Sequence, residues 1–280
     1  MTLGARAFRL DVEGPYDLSA SLAGLRFGAR DPSARFDRTT ALKAAHTPEG
    51  PVTLRVQMSH VGTLDVELHG PGTRWTEERI RRILGLDDVR WAPRHRGLAR
   101  AASRKRGGRL GCVISLGELH VATILQQRVR WIEAAAAWAR VTQKRRLAAP
   151  GTDRVLLPLA PSDWRRVPSY ELAAMGVELK RYQALQIAVR AAPHVEAAWG
   201  DAARLRPLLM SLRGTGVWTT EMVLGWGAAD ADAVPLGDVH LPHAVSKFFE
   251  GVPHGSDERM VELLEPFRGN RFRVLRWIAG

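Results

Sequence analysis

The spacing of hydrophobic residues changes part-way along the chain, and this change constrains the fold more than any other feature. Residues 8–12, 52–58 and 64–68 alternate apolar with polar or charged side chains, a period that is typical of strands with one buried face. From Gly111 onward the alternation is lost, and apolar residues recur at helical spacing. We therefore expect an α+β fold, in which a small β-containing N-terminal domain packs on a larger all-α body.

Turn and cap residues divide the chain into predicted elements. The segment SHVG (59–62) predicts a hairpin turn, and TRWTEERIRRILGL (73–86) predicts a helix that ends with Gly85 as its cap. Beyond Gly111, glycine and proline separate a series of predicted helices. Their approximate ranges are 113–127, 131–145, 170–175, 179–192, 202–211, 218–227, 241–250, 256–265 and 269–278. We expect an N-terminal domain over 1–88, a helical domain over 113–230, and a second helical subdomain formed by 89–112 and 231–280.

Charge narrows the classes of partner. The 280 residues are 45% hydrophobic and 25% charged, as in a soluble globular protein of two or three packed units. Lysine and arginine exceed the acids by 41 to 29, and the net charge of +12 favours nucleic acid or an anionic membrane as partner. The apolar stretch 110–127 contains Glu118 and His120, so it predicts a buried helix and not a membrane span.

The cysteine count and the first residues bear on the compartment. Cys112 is the single cysteine, which excludes a disulfide within the chain and an all-cysteine metal site. The opening residues MTLGARAFRLDVEG contain no apolar core of a secretory signal. Both observations favour a reducing, cytoplasmic compartment.

Residues 90–109 form a strongly basic segment between the predicted domains. They include eight lysines or arginines. One interpretation is a solvated connection between domains, and the other is a strip that contacts phosphates. The sequence leaves both open.

The segment RGTGV (213–217) joins two predicted helices through a very short connection. Gly214 and Gly216 permit positive φ and close approach of the backbone. Together with the helix start that follows, the connection directs several main-chain N–H groups to one side, an arrangement that binds anions such as phosphate. An ordinary turn between two helices is the alternative, and it needs the same residues.

The stretch LRGTGVWTTEMV (212–223) resembles the helix-hairpin-helix of the DNA glycosylase superfamily, with Thr215 in place of the usual apolar residue. In that superfamily a catalytic aspartate follows the hairpin, at the end of a loop that enters a helix. Asp238 has this place, 20 residues after Trp218. ELHVATILQQRV (118–129) and LEPFRGNRFRVLRW (264–277) also resemble segments of the family. The β-containing N-terminal domain resembles one branch, the inducible bacterial 3-methyladenine DNA glycosylases.

The resemblance implies a helix-hairpin-helix glycosylase body and a monofunctional DNA glycosylase. Such an enzyme flips a damaged base out of the duplex and hydrolyses its N-glycosidic bond, leaving an abasic site. Alkylated purines of the 3-methyladenine and 7-methylguanine type are the expected substrates. Asp238 would oppose the positive charge that develops on the sugar and orient or deprotonate water. Relatives that also cleave the strand have lysine at the position of Trp218, where an indole cannot form a Schiff base.

The resemblance also implies which residues meet DNA and the flipped base. The residues expected to bind DNA are Arg128, Arg213, Gly214, Thr215, Gly216, Val217 and Thr219. The residues expected to line the substrate pocket are Trp218, Gln127, Met222, Trp131 and Trp277. An indole face attracts cations, and methylated purines often carry positive charge. Met222 stands where close relatives have an aromatic residue, so their range of lesions does not transfer to this chain.

The expected partner is double-stranded DNA that contains damaged bases. The chain is expected to act as a monomer in the cytoplasm, at the bacterial nucleoid, and not at a membrane. No cofactor is expected, apart from a structural monovalent cation at the hairpin when DNA is bound. Arg128 follows the matched Gln127, where the family has an apolar wedge that fills the gap left by the base. A planar guanidinium can stack in such a gap, and a surface arginine beyond a helix end is the alternative.

Three other functions remain open for the sequence. A glycosylase for deaminated or other damaged bases, such as hypoxanthine, would have the same residues. A non-catalytic helix-hairpin-helix module would only bind DNA, and the aspartate at position 238 disfavours it. A metal site formed by Asp238, His240 and His243 is the third alternative, and sequence proximity alone does not establish convergent ligands.

Overall fold

A computed structural model describes residues 4–60 and 62–279, and its N-terminal part is built on one antiparallel sheet. The strands are β1 (Ala5–Asp11), β2 (Ala34–Phe36), β3 (Thr40–Thr47), β4 (Gly50–His60) and β5 (Thr63–His69). They lie in the order β1-β5-β4-β3-β2. Strands β4 and β5 form the predicted hairpin, although Val61 in its turn lies outside the described residues. The α+β fold class is confirmed.

Strands β2 and β3 do not appear in the prediction from sequence. Ala41 and Ala45 of β3 belong to a core on one face of the sheet, whereas Leu42 and Ala44 belong to a core on the other face. A strand buried on both faces has no alternation of apolar and polar residues. The periodicity that reveals the other three strands is therefore absent from β3.

Helices form the rest of the molecule. Those of the N-terminal half are α1 (Leu18–Ser21), α2 (Thr73–Glu77), α3 (Ile80–Ile83), α4 (Arg96–Arg104), α5 (Leu116–Gln126) and α6 (Trp131–Arg145). Those that follow are α7 (Ser169–Ala173), α8 (Leu179–Ala197), α9 (Ala202–Met210), α10 (Val217–Gly227), α11 (Leu241–Glu250), α12 (Asp257–Leu264) and α13 (Arg271–Ala279). Short 3-10 helices occur at Ala23–Leu25, Pro161–Arg166 and Glu265–Phe267. Each helix predicted after Gly111 is present, with ends that differ by a few residues.

Two helical boundaries differ from the prediction for local reasons. The predicted helix over 73–86 is divided into α2 and α3, and Gly85 follows with φ +67°. Helix α8 continues through Pro193 to Ala197 instead of ending at residue 192. Burial stabilises this last turn, since Val195 is fully buried and the Glu196 carboxylate accepts hydrogen bonds at the start of α5.

The mainly helical body that follows Gly111 also contains two short strands that were not predicted. Strands β6 (Leu147–Ala149) and β7 (Thr152–Leu157) form a hairpin between α6 and α7. Val155 and Leu157 pack with Leu42 and Ala44 of β3. The hairpin thus covers the face of the sheet turned away from the main core, and its short strands show little alternation.

The apolar stretch 110–127 forms the buried helix that the sequence predicts. In α5, Leu116, Val121, Ile124 and Leu125 are each at most 1% exposed. None of the helices within 4–60 and 62–279 is both long and apolar enough to cross a membrane.

The basic segment 90–109 contains a helix that the sequence did not reveal. Leu98 of α4 is fully buried with Val245 of α11, Met260 and Leu264 of α12, and Val274 of α13. This contact joins the basic segment to the C-terminal helices. The main core, by contrast, runs from the sheet to α9 and α10.

Candidate active site

The predicted helical hairpin is present between α9 and α10. Gly214 has φ +89°, and a Cβ atom there would lie 2.5 Å from the Cβ atom of Ala184 in α8. Only glycine fits this approach without displacement. Gly216 differs, because its φ is −88° and no described atom outside its immediate neighbours lies within 4 Å of an added Cβ. The first glycine shapes the hairpin, whereas the second has open space beside it.

The start of α10 has no side-chain cap. Gly216 is the N-cap residue, and no side chain in the described chain accepts a hydrogen bond at this cap. The N–H groups of the first turn, from Val217 to Thr219, thus carry the partial positive charge of a helix N-terminus. Arg213 and Val217 are exposed beside them. This end of α10 can bind an anion.

Side chains of the α5 region hold the hairpin from behind. The Gln127 amide donates hydrogen bonds to the Gly214 carbonyl oxygen and to Thr219 Oγ1, both at 2.8 Å. The His120 Nε2 atom lies 2.9 Å from Thr215 Oγ1. Gln127 therefore sits against the hairpin, and it is not among the residues that line the cleft described below.

The contact between His120 and Thr215 gives the threonine of the hairpin a structural role. Both residues are buried, at 1% and 4% exposure. Burial lowers the pKa of His120 to about 4, so the imidazole is neutral at neutral pH. A hydroxyl at position 215 gives the buried ring a hydrogen-bond partner that an apolar residue could not provide.

Asp238 lies at the start of α11, in the loop that follows α10. Its Oδ1 atom accepts hydrogen bonds from the main-chain N–H groups of His240 and Leu241, at 2.8 and 2.9 Å. Its Oδ2 atom accepts one from the Trp218 indole, at 2.8 Å. The residue is only partly exposed. The carboxylate thus caps a helix and is also held in a fixed orientation beside the hairpin.

The two histidines that lie close to Asp238 in the sequence have other surroundings in the structure. The His243 Nδ1 atom accepts a hydrogen bond from the Gly255 main chain, and its ring contacts that of His254. His240 is exposed. Within the part of the chain that the structure describes, no group of three histidine, cysteine or carboxylate residues could hold a metal ion.

A cleft of about 850 Å³ adjoins Asp238. Four of the predicted site residues line it: Asp238, Met222, Trp131 and Trp277. Trp226, Phe272, Arg276 and Lys105 also line it and were not predicted. Part of the wall comes from residues 17–36 in the N-terminal part of the chain, and part from α13. The sequence separates these two parts widely, so only the fold brings them together.

Solved structures share this architecture, although no family model and no curated protein matches the sequence. A 3-methyladenine DNA glycosylase from Archaeoglobus fulgidus has a TM-score of 0.79 at 17% identity, over 97% of each chain. An 8-oxoguanine glycosylase/lyase from Clostridium acetobutylicum, in its apo form, has a TM-score of 0.70 at 10% identity, over 99% of this chain and 98% of that one. The chain has the fold of the helix-hairpin-helix DNA glycosylases.

A third structure with the helix-hairpin-helix glycosylase fold is similar over a smaller part of the chain. It is a 3-methyladenine DNA glycosylase from Schizosaccharomyces pombe in complex with abasic DNA, with a TM-score of 0.51 at 17% identity. The similarity covers 66% of this chain and 92% of that one. The part outside the match accounts for about a third of the chain.

Several aromatic rings line the cleft. Trp131 is 45% exposed and meets the edge of Phe27, with ring centroids 4.5 Å apart. Trp277 stacks on Trp91 at 5.6 Å, with an interplanar angle of 7°. Trp218 is not among the lining residues, because its indole is directed to Asp238. Two predicted pocket residues therefore lie outside the cleft lining: Trp218 orients Asp238, and Gln127 holds the hairpin.

Arg276 is a cleft residue that sequence reasoning missed. Its guanidinium lies over the Trp226 ring, 4.7 Å from the centroid, and donates hydrogen bonds to the carbonyl oxygens of Arg109 and Ala20. No carboxylate of the described residues forms an ion pair with it. Burial lowers its pKa to about 10. Its neighbour Trp277 was predicted to line the pocket, but no motif in the sequence singles out Arg276.

Arg128 is exposed in the short connection between α5 and α6. Its φ of +59° lies in the left-handed region, which is uncommon for a residue with a side chain. Strained backbone of this kind is concentrated at functional sites. The backbone conformation therefore fits a functional role for Arg128. That its side chain contacts DNA stays a prediction.

Proposed function

We propose that the protein is a monofunctional DNA glycosylase that removes damaged bases. One observation carries the proposal: the Asp238 carboxylate lines an aromatic cleft and is fixed there by three N–H donors. A carboxylate in a fixed orientation stabilises positive charge without having to reorganise during the reaction. The shared glycosylase fold supports the assignment of that charge to a deoxyribose.

The proposed reaction is hydrolysis of the bond between the base and C1′. As this bond lengthens, positive charge develops on the sugar, and Asp238 opposes it. Asp238 also orients or deprotonates the water that attacks C1′, and the base leaves with the electrons of the broken bond. Position 218 holds tryptophan, so the hairpin offers no amine to C1′, and the expected product is an abasic site in an intact strand.

The hairpin is the proposed anchor for the DNA backbone. The uncapped N–H groups at the start of α10 would bind a phosphate, as helix N-termini do. Arg128 would fill the gap that the flipped nucleotide leaves. The carbonyl oxygens of Arg213 and Thr215 accept no hydrogen bond from the described residues, so they remain free to hold a monovalent cation when DNA is bound.

Alkylated purines are the proposed substrates. Trp131 and Trp277 line the cleft beside Met222, and their faces can stack on a flipped purine. A cationic methylated purine has a weakened glycosidic bond, which suits an enzyme that relies on water and one carboxylate.

A deaminated purine such as hypoxanthine is a second candidate, and Arg276 favours it. The guanidinium already covers the Trp226 face, which would otherwise attract a cationic base. A fixed positive charge in the cleft repels a second one, and it attracts the carbonyl oxygen of a neutral base. The preferred lesion therefore depends on whether the cleft binds a cationic alkylated purine or a neutral deaminated purine more strongly.

The direct test is to incubate the purified protein with methylated duplex DNA and with a duplex that contains hypoxanthine, and to identify the released bases. The matched control is Asp238→Asn, which retains size and much of the capping ability but loses the charge. Excision is expected to fall by orders of magnitude, with affinity for damaged DNA roughly unchanged. Binding without release of any base would favour a non-catalytic DNA-binding module.

A further inference from the structure

Helix α4 carries a row of arginines that the fold does not use. Arg96, Arg100 and Arg104 are spaced four residues apart, so they lie along one face of the helix. All three are exposed, and none forms a hydrogen bond or an ion pair through its side chain within the described residues. We call these three residues the α4 arginine row.

Some arginines elsewhere on the surface have carboxylate partners. Arg259 pairs with Glu262, and Arg268 pairs with Glu265. The sequence contains no acidic residue between Asp88 and Glu118, so α4 has no such partner nearby in the chain. The positive charge of the α4 arginine row is therefore not neutralised within the described residues.

Repulsion within the α4 arginine row, and the place of Arg96 at the helix start, destabilise α4, whereas Arg104 in the last turn is favourably placed. Like charges at four-residue spacing destabilise a helix, and a cation near a helix N-terminus opposes the macrodipole. Arg96 is the first residue of α4, directly after the capping residue His95. Packing keeps the helix in place despite this, because Leu98 on the other face is fully buried against the C-terminal helices. A partner with negative charge would relieve the repulsion.

The position of α4 indicates which partner that is. Lys105 follows the helix directly, lines the cleft with Asp238, and donates a hydrogen bond to the Arg276 carbonyl oxygen. One end of α4 thus meets the cleft wall, and the other end extends away from it. The C-terminal end of the α4 arginine row thus lies next to the cleft that is proposed to hold a flipped base.

The spacing of the row also suits a nucleic acid backbone. Four helical residues rise about 6 Å, which is close to two steps of about 3.4 Å along one DNA strand. A membrane surface fits less well, since interfacial helices combine basic residues with large apolar side chains that enter the lipid. Apart from the arginines, the exposed residues of α4 are Ala99 and Ser103.

We propose that the α4 arginine row is a second DNA-contacting surface, which binds backbone phosphates next to the lesion independently of the hairpin. The inference rests on the proposed function for its placement beside a flipped base. Contact with the duplex itself depends only on the charge and position of α4. The row supplies affinity and no sequence preference, because phosphate contacts carry no sequence information.

The test is the salt dependence of binding to a short duplex with a central stable abasic-site analogue, and to the same duplex undamaged. The variant is Arg96→Gln, Arg100→Gln and Arg104→Gln together. If each arginine contacts one phosphate, the slope of log affinity against log salt should become shallower by about 2.7, at roughly 0.9 per contact. Replacing the same three residues with lysine should restore most of the slope.

The matched control is Arg6→Gln, Arg9→Gln and Arg74→Gln, which removes the same charge from the region of strand β1. This strand lies at the sheet edge opposite β2, and Phe36 of β2 lines the cleft. The control should change the slope far less than the α4 variant. A single cooperative thermal unfolding transition in both variants would show that each still folds.

Equal slopes for the wild type and the α4 variant would overturn the proposal, even if the wild type excises bases. Loss of binding to phosphatidylserine vesicles with an unchanged DNA slope would assign the row to a membrane and would likewise overturn it. A shallower slope in a protein that excises no base would support α4 as a DNA contact while contradicting the proposed function.

Discussion

The indole N–H of Trp218 donates a hydrogen bond to Asp238 Oδ2 over 2.8 Å, and this bond links two elements that are separate in the chain. Trp218 stands in the first turn of α10, directly after the hairpin, whereas Asp238 precedes α11. The position of the hairpin and the orientation of the carboxylate are thus coupled. Trp218, which the sequence predicts as a wall of the pocket, instead fixes the orientation of Asp238.

We expect Trp218→Phe to slow excision without abolishing DNA binding. Phenylalanine keeps an aromatic ring but lacks the donor, and a hydrogen bond to a charged group is worth about 1.5–3 kcal/mol. If that amount is lost from the transition state, the rate falls by about 10- to 100-fold. Single-turnover excision and binding to abasic DNA should be measured on the same variant. A normal rate would show that the two main-chain donors suffice to hold Asp238.

The two hairpin glycines should respond differently to alanine. Gly214→Ala brings its Cβ atom against Ala184 at a positive φ, so we expect a loss of about 1–3 kcal/mol in the free energy of unfolding, with weaker binding to all DNA. Gly216→Ala meets no such obstacle and should cost at most about 1 kcal/mol, since alanine is a poorer N-cap residue than glycine. If a phosphate binds the start of α10, Gly216→Ala should still weaken DNA binding. Denaturant unfolding and binding assays of the pair separate the two effects.

Arg128→Ala should impair excision from duplex DNA more than from single-stranded DNA. Extruding a nucleotide costs less when no partner strand or stack is lost, so a residue that fills the gap matters less there. The measurement is the ratio of excision rates on the two substrates for wild type and variant. An equal loss of excision rate on both substrates would indicate that Arg128 is an ordinary surface residue, despite its unusual φ.

Borohydride trapping should yield no covalent adduct between the protein and DNA. Lys105 makes this a stringent test, because it is a lysine that lines the cleft and burial lowers its pKa. We expect its amine to stay engaged with the Arg276 carbonyl oxygen. An adduct that disappears in Lys105→Met would identify Lys105 as the nucleophile and contradict the monofunctional prediction.

Glu118→Gln should stabilise the protein at alkaline pH. Burial raises the pKa of Glu118 to about 8, so the folded protein keeps a proton that the unfolded chain loses near pH 4.5. The folded state then binds more protons between these values, and the free energy of unfolding falls as pH rises through the window. Glutamine can still accept the hydrogen bond from the His46 main chain.

Urea unfolding at pH 5, 7 and 9 would test this expectation. The advantage of the variant should grow from pH 5 to pH 9. His120, whose pKa is lowered, contributes with the opposite sign at acid pH, but it is present in both proteins and cancels in the comparison. A constant difference across the series would mean that Glu118 titrates normally.

Periodicity and motif spacing predicted much of the fold and the central site residue. The alternating segments, the helices after Gly111 and the hairpin followed by Asp238 each leave a local pattern in the sequence. Strand β3 and the β6–β7 hairpin leave none, because burial on both faces of a strand, or strands of a few residues, remove the alternation.

The composition of the cleft was less predictable than its position. Trp131, Met222 and Trp277 were expected there, but Arg276 and Trp226 were not, and Trp218 and Gln127 hold other groups. Which way an indole or an amide is directed depends on partners far away in sequence. Local pattern does not contain that information.

The mixed origin of the cleft wall has a consequence for the order of events during translation. Residues 17–36 leave the ribosome early, whereas α13 is made only after the hairpin and Asp238. A nascent chain in that interval has the elements proposed to grip DNA but lacks Arg276 and Trp277, which close the cleft. Such a chain could rest on a duplex without enclosing an extruded base. The cleft wall is therefore complete only when α13 is in place.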